Sequence, residues 1–193
     1  MTLILGSASP RRCEILQFFS LPFRIVASNF DEESIPFLGD PQAFAMQLSD
    51  AKGRVLAEQL PSETILTADT VVFCDGIAYG KPRDYLQAKQ FLTSLAGKWH
   101  SVFTALTLYH QGSLSSHLAE ETKVLFNNLT EKQQTAYLAA VPWQDKAAGY
   151  AIQGSGGMLV KKIDGCYYNV MGMPINSLAK ILTAANIDLW GCL

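Results

Sequence analysis

"TLILGSASPRRCEILQFF" (residues 2–19) decides how the chain is read. Residues 2–5 form a short apolar run of strand type, and the small residues Gly6 to Ser9 turn it. Ser9 followed by Pro10 reads as a helix N-cap and first turn. Arg12, Ile15, Leu16 and Phe19 then recur at i, i+3, i+4 and i+7, one face of a helix. The stretch also poses an electrostatic problem. A helix N-terminus already carries about half a positive charge, so Arg11 and Arg12 are of the wrong sign there, each costing roughly 0.3–1 kcal/mol. An anionic ligand would remove the objection, because free backbone N–H groups converge at such a turn. Ser7 and Ser9 add hydroxyl donors, and two guanidinium forks suit phosphate oxygens. On this reading, truncating either arginine weakens anion binding and leaves stability unchanged or slightly raised. The alternative is a plain helix start with solvated arginines. No P-loop pattern is present.

Outward from this stretch, "FRIVAS" reads as a second strand, followed by the acidic cluster Asp31, Glu32 and Glu33. Phe44, Leu48, Ala51 and Val55 stripe a helix between Pro41 and Gln59, with Lys52 at the stripe's edge. "TILTADTVVFC" is a strand, and Asp75-Gly76 turns it into "IAYGKP". "DYLQAKQFLTSLAG" is a helix closed by Gly97, and two long strands, "WHSVFTALTLYH" and "LAEETKVLF", flank a Gln111-Gly112 turn. "TEKQ", from Thr130 to Gln133, is a capping box. "GMLVKKI" and "CYYNVM" are expected to form a hairpin about Asp164-Gly165, and Pro174 starts a final helix through Ile187. With no repeat and no linker, residues 1–193 read as one domain of α/β or α+β type with a mixed sheet.

With 49% of its 193 residues hydrophobic and 17% charged, the chain can bury a sizeable core. A net charge of −2 argues against a broad nucleic-acid surface while allowing a local basic pocket. Cys13, Cys74, Cys166 and Cys192 are scattered without C-x-x-C pairing, which fits reduced thiols in the cytoplasm. No secretion signal is visible, and no run approaches the roughly 18 apolar residues of a membrane span. A soluble cytoplasmic protein is expected, with neither nucleic acid nor membrane as partner.

Three further stretches could carry chemistry. Asp69 and Thr70 interrupt the strand-forming run "LTADTVVF", where an ionised carboxylate is costly unless it is paired or metal-bound. Asp69 either caps a bend or holds a divalent cation or takes a proton from water. "YGKPRD" brackets Lys81 between a glycine and a proline, which alone is an ordinary solvated turn. "AAGYAIQGSGG" has four glycines that allow close backbone approach, with the bifunctional amide of Gln153 among them; alone it could be a flexible loop. None of His100, His110 and His117 has metal-ligand spacing.

Taken together, "ASPRR", "DEE", "ADTVV", "GKPRD", "AGYAIQG" and "GCYYNVMGMP" resemble the Maf nucleotide pyrophosphatases in order and spacing, from Leu5 to the last helix. Departures are mild: Met173 stands where Leu is usual, and Cys166 where Ser is common. The resemblance implies an α/β fold, a twisted mixed sheet with flanking helices and two lobes around a central cleft, often as a homodimer. It implies a hydrolase of phosphoric anhydride bonds that cleaves a nucleoside triphosphate to the monophosphate and pyrophosphate with Mg²⁺ or Mn²⁺. Carried over, Asp69 is the catalytic carboxylate, and Arg11, Thr70 and Gln153 match the positions that choose the base. Ser7, Arg12, Lys52 and Lys81 match positions that line the cleft and bind substrate phosphates. Glu32 joins Asp69 as a candidate metal ligand. The trio Arg11, Thr70 and Gln153 resembles the branch that acts on dTTP and UTP. A triphosphate carries about four negative charges, so a cationic cleft with one or two carboxylates is expected. The competing readings are a nucleotide-binding regulator of septum formation without turnover, and a pyrophosphatase for modified purine nucleotides.

Overall fold

The computed structural model describes residues 2–193. The chain opens with β1 (Leu3–Leu5), α1 (Pro10–Leu16), β2 (Phe23–Ile25) and α2 (Pro41–Gln59). β3 (Thr64–Cys74), β4 (Ile77–Tyr79), α3 (Tyr85–Leu95), β5 (Trp99–His110) and β6 (Ser113–Phe126) follow. The remainder comprises α4 (Glu131–Ala140), β7 (Val160–Asp164), α5 (Tyr167–Met171) and α6 (Ile175–Leu182). These strands make one seven-stranded sheet in the order β2-β1-β3-β5-β6-β7, with β4 paired to the far end of β3. β1 runs parallel to both β2 and β3, and every other pairing is antiparallel.

β1 is covered on both faces, which is why its sequence is apolar without alternation. Leu3 and Leu5 pack with α1 and α6, while Ile4 turns the other way onto Leu56 and Ala57 of α2. The long strands β3 and β5 carry this two-sided core along their whole length. On the α6 face, Leu66, Ala68, Leu106 and Leu108 belong to the cluster around α1 and α6. Beyond them, Val72, Cys74 and Val102 belong to a second cluster built on α3 and α4. Between the two stands a polar pair, Thr70 opposite Thr104, whose hydroxyls are 3.0 Å apart. The α2 face has its own polar interval between Ile65 and Val71, made by Thr67, Ser49, Thr107 and Asp69. The apolar clusters thus part at residues 67–70 on both faces of the sheet, and the cleft opens there.

Both hairpin turns adopt the positive φ values that the sequence calls for, 50° and 81° at Asp75-Gly76 and 50° and 75° at Gln111-Gly112. Thr130 and Gln133 form the expected capping box. One expectation is corrected. "CYYNVM" is not a strand: residues Tyr167–Met171 form α5, ended by Gly172 in the left-handed region. Its β-favouring composition is overridden by tertiary bonds. The buried Asn169 side chain donates to the Val102 carbonyl at 2.9 Å and to Thr122 Oγ1 at 3.0 Å, tying α5 across β5 and β6. "FRIVAS" is a strand only over Phe23–Ile25, and the last helix gives way after Leu182 to a 3₁₀ turn ending at Asn186.

His100 of β5 is buried in the second cluster, edge-on to Phe126 and sharing a 2.8 Å hydrogen bond with Tyr150 Oη. Burial pushes its imidazole down to about 4, so the folded chain refuses a proton that the unfolded chain accepts near its ordinary 6.5. Stability is therefore full above the unfolded value and falls as pH drops toward the folded one, by about 2 kcal/mol between about pH 7.5 and about pH 5. His100→Phe is expected to lower stability at neutral pH, by orphaning Tyr150 Oη, yet to flatten that slope. Urea unfolding of both proteins at the two pH values measures it, and an unchanged slope would assign the pH dependence to other groups.

Candidate active site

The turn after β1 is set by close packing. A Cβ at Gly6 would come within 2.5 Å of Thr67 Cγ2 and 2.6 Å of Leu56 Cδ1, so only glycine lets the chain leave the sheet there. Ser9 is the N-cap of α1 but makes no side-chain cap. Arg12 points back into the protein. Its Nη1 donates to Ser7 Oγ at 3.0 Å and to the Ala68 carbonyl at 2.8 Å. Nη2 donates to Thr70 Oγ1 at 3.0 Å and Nε to the Gly172 carbonyl at 2.9 Å. Gly172 has φ +102°, and a Cβ there would press within 3.1 Å of Thr70 Oγ1 and 3.4 Å of Arg12 Nε. Burial lowers the guanidinium pKa and nearby Asp69 opposes that shift; a group so basic stays charged.

On the opposite face of β3, Asp69 is 7% exposed, in unbroken pairing with Ala105; no bend is present. Lys52 of α2, 9% exposed, reaches it with Nζ 2.5 Å from Oδ1. The same Nζ lies 2.9 Å from Glu32 Oε1, and Lys81 Nζ lies 3.1 Å from that oxygen. Glu32 begins a 3₁₀ turn, Glu32–Ser34, capped by the Asp31 carboxylate. Burial pushes the Glu32 carboxyl up, but Lys52 and Lys81 outweigh it and hold the group below its ordinary value. The result is a line of alternating charge: Asp69, Lys52, Glu32, Lys81.

All of these residues line one cleft of about 810 Å³, together with Ser7, Arg11, Thr70, Asp145 and Tyr150. Arg11 Nη1 bonds Asp145 Oδ2 at 3.1 Å, and Lys146 Nζ bonds the other carboxylate oxygen at 2.6 Å. Burial pushes the Asp145 carboxyl up, and Lys146 and Arg11 more than reverse it. Gln153 stands one residue beyond Ile152, which lines the cleft, but is not itself among the lining residues; its amide is bound to Glu14. The glycine-rich segment is not a loose loop but two 3₁₀ turns, Ala147–Gly149 and Gly154–Leu159. The cleft is also not cationic. Arg11, Arg12, Lys52 and Lys81 face Asp31, Glu32, Glu33, Asp69 and Asp145: Arg11, Lys52 and Lys81 each carry an acidic neighbour, and Arg12 donates four hydrogen bonds to protein acceptors.

The "Maf-like protein" family model matches residues 2–185. The chain belongs to the Maf family. It is 41% identical over 189 residues to a "dTTP/UTP pyrophosphatase" of Chlamydia caviae, covering 97% of this chain and 96% of that protein. A "dTTP/UTP pyrophosphatase" of Lacticaseibacillus casei is also 41% identical, over 94% of this chain and 98% of its own. Among solved structures, a HAM1 protein from Coxiella burnetii aligns over 95% of this chain and 98% of its own, with 13% identity and a TM-score of 0.49.

Two residues of this Maf chain that sequence reasoning passed over, Glu14 and Asp145, stand against Gln153 and Arg11. Glu14 carried a signal, since it lies three residues after Arg11 and so on the same side of α1. Asp145 carried none, because its partner is far away in sequence. The arginine expectation is corrected in part. Arg12→Ala leaves the Ala68 and Gly172 carbonyls without these donors and is expected to destabilise the fold by on the order of 3 kcal/mol. Arg12→Lys keeps charge but not the fork and is expected to recover little of it. Arg11→Ala, losing a pair with a half-exposed partner, should change stability by less than about 1 kcal/mol. Urea denaturation of the three variants checks the order; equal stabilities for Arg11→Ala and Arg12→Ala would refute it.

Proposed function

We propose that this Maf protein is a nucleoside triphosphate pyrophosphatase, hydrolysing dTTP and UTP to the monophosphate and pyrophosphate. The observation that carries the reading is the Asp69 carboxylate, buried in a central strand and held by Lys52 in a cleft large enough for a nucleotide. A pure binder of polyanions gains nothing from a carboxylate placed there. Water positioned beside Asp69 gives its proton to the carboxylate as its oxygen attacks phosphorus, and the bond to the pyrophosphate leaving group breaks. Lys52 orients the Asp69 carboxylate beforehand, and Lys81 and Arg11 meet phosphate oxygens once they part from Glu32 and Asp145. The relatives named as dTTP/UTP pyrophosphatases support the choice of base.

The charge balance of the cleft supports a divalent cation arriving with the substrate. Five acidic groups face four basic ones, so the residues alone do not neutralise about four phosphate charges. No group of three or more His, Cys, Asp or Glu that could hold a metal occurs among the described residues. Asp69 and Glu32 nevertheless meet at one ammonium, and Mg²⁺ commonly takes one or two carboxylates with its remaining ligands from phosphate and water. Such an ion, Mg²⁺ or Mn²⁺, would supply charge neutralisation at the phosphates. A cytoplasmic setting is part of the proposal, consistent with four free cysteines and no helix, among the described residues, long and apolar enough to cross a membrane. A homodimer is part of it too, to be read by sedimentation.

Pyrophosphate release from dTTP and UTP with Mg²⁺ or Mn²⁺ tests the activity. Asp69→Asn keeps the shape without the base or the anionic ligand and is expected to lower turnover on the order of 10²–10⁴-fold. Near wild-type turnover in the folded variant would remove Asp69 from the chemistry. Tight binding without pyrophosphate release by the wild-type protein would instead favour a regulator without turnover.

A further inference from the structure

β3 loses its neighbours on one side halfway along its length. β5 fills the other side from Thr64 to Phe73. On this side β1 pairs only with Thr64 to Leu66, and β4 only with Val72 to Cys74. β1 turns away at Gly6, where packing leaves no room for a Cβ, and β4 turns away at Gly80, whose carbonyl accepts from the Ala148 N–H at 2.9 Å. The direction of the backbone groups in the gap is fixed from both ends. The Leu66 carbonyl points toward β1, accepting from the Gly6 N–H at 2.8 Å. The two-residue turn Asp75-Gly76 makes Cys74 and Ile77 a hydrogen-bonded pair, so Cys74 points the same way. Alternate residues of a strand aim their backbone groups to one side, so Ala68 and Thr70 aim theirs into the gap. The Ala68 carbonyl is taken by Arg12 Nη1 at 2.8 Å. The Ala68 N–H and both backbone groups of Thr70 have no partner among the described residues. This open edge is part of the cleft wall, which residues 68–72 all line.

We propose that the open edge of β3 binds the nucleobase: the ring lies in the plane of the sheet in place of the missing strand, its N–H donating to the Thr70 carbonyl and its adjacent carbonyl accepting from the Thr70 N–H. The proposal rests on the reading of the cleft as a nucleoside triphosphate site. A strand residue exchanges both bonds with the residue opposite it. The N3–H of uracil or thymine and the carbonyl beside it form a cyclic amide, which offers that donor and acceptor side by side. A phosphate group does not suit the edge, because its oxygens would meet the Thr70 carbonyl. The walls suit a flat ring, with Phe30, Val71 and Ala78 on the α2 face and Val102, Tyr150 and Met171 on the other. Open sheets bind ligands in the crevice where neighbouring strands part, and backbone groups left unpaired there are the ones a ligand satisfies. The contact is common to every base with an N–H beside a ring carbonyl, so the choice among such bases falls to side chains.

Amide hydrogen exchange read residue by residue by NMR, together with base-methylated substrates, tests the proposal on the unaltered protein. In the free protein the Thr70 N–H is expected to exchange roughly tenfold or more faster than those of Asp69 and Val71, which face β5. The uncleavable analogue α,β-imido-dUTP with Mg²⁺ is expected to slow Thr70 by a similar factor, and inorganic tripolyphosphate with Mg²⁺ to leave it fast. On 3-methyl-UTP, which lacks the ring N–H, kcat/KM is expected to fall roughly 5- to 150-fold below that on UTP. On 5-methyl-UTP, whose methyl group lies off that edge, it is expected to stay close to the UTP value. A Thr70 amide as slow as its neighbours in the free protein would show a closed edge and overturn the proposal. Equal slowing by tripolyphosphate would assign the edge to phosphate and overturn it too. A Thr70 amide still fast when calorimetry shows the analogue bound, or full activity on 3-methyl-UTP, would overturn it while leaving the pyrophosphatase reading in place. Absence of pyrophosphate release from UTP would remove that reading, and slowing of Thr70 by the analogue but not by tripolyphosphate would still support the edge as the base site.

Discussion

A half-buried guanidinium needs protein acceptors for most of its donors, and those that Arg12 finds belong to several different elements of the fold. Ser7 comes from the turn after β1, Ala68 and Thr70 from β3, and Gly172 from the junction of α5 and α6. The planar fork fixes the angles between these partners as well as their distances. Thr70 passes the connection on, since its hydroxyl meets Thr104 of β5, and Thr104 donates to the Asn169 carbonyl at 2.8 Å. One charged group and two hydroxyls thus join the two apolar clusters across the seam where neither has side chains to offer. A methyl-bearing residue at Gly172 would break the arrangement by space and by backbone conformation alike.

On the other face of the same strand, the constraint is charge rather than shape. Asp69 and Lys52 are both buried, and either charge would be costly to bury alone, so they stand as an ion pair. Each answers the other, and Glu32 and Lys81 extend the alternation to the surface, where solvent takes over. A line of this kind sets each carboxylate at salt-bridge distance from an ammonium group. It also means that no cation of the line is free, so an anion entering the cleft must exchange partners with the carboxylates rather than meet bare positive charge. The energetic cost of that exchange falls where exposure is greatest, at Lys81 and Glu32, where ion pairs are weak.

How far the sequence reveals this depends on the range of the interactions. The short apolar β1, the hairpin turns at Asp75-Gly76 and Gln111-Gly112, and the Thr130 box are all local, and they appear where residue type and spacing place them. Asp69 was visible because a carboxylate inside an apolar strand is an anomaly on its own terms. The partner of Asp69 was half visible, as a lysine at the edge of a helical stripe. α5 was misread because its tyrosines and valine favour strands, and the bonds of Asn169 that make it a helix reach β5 and β6. The cationic cleft was misread for the same reason: the arginines and lysines are plain in the sequence, while Asp145 and the protein acceptors around Arg12 come from far along the chain.

The doubled arginine now divides into two unlike residues. Adjacent positions on a helix point about 100° apart, so Arg11 and Arg12 reach different partners although both line the cleft. Arg12 lies on the inward side, near Ile15 and Leu16, and its charge is taken up by the protein itself. Arg11 lies with Glu14 on the side that faces the Asp145–Gln153 segment, and both bind it through exposed or half-exposed groups. The electrostatic penalty of cations in a helical first turn is therefore met inside the folded chain, without a ligand, by carbonyls for one arginine and a carboxylate for the other. What the motif builds is a rigid helix start that presents one exchangeable cation, and the rigidity comes from the arginine that is not exchangeable.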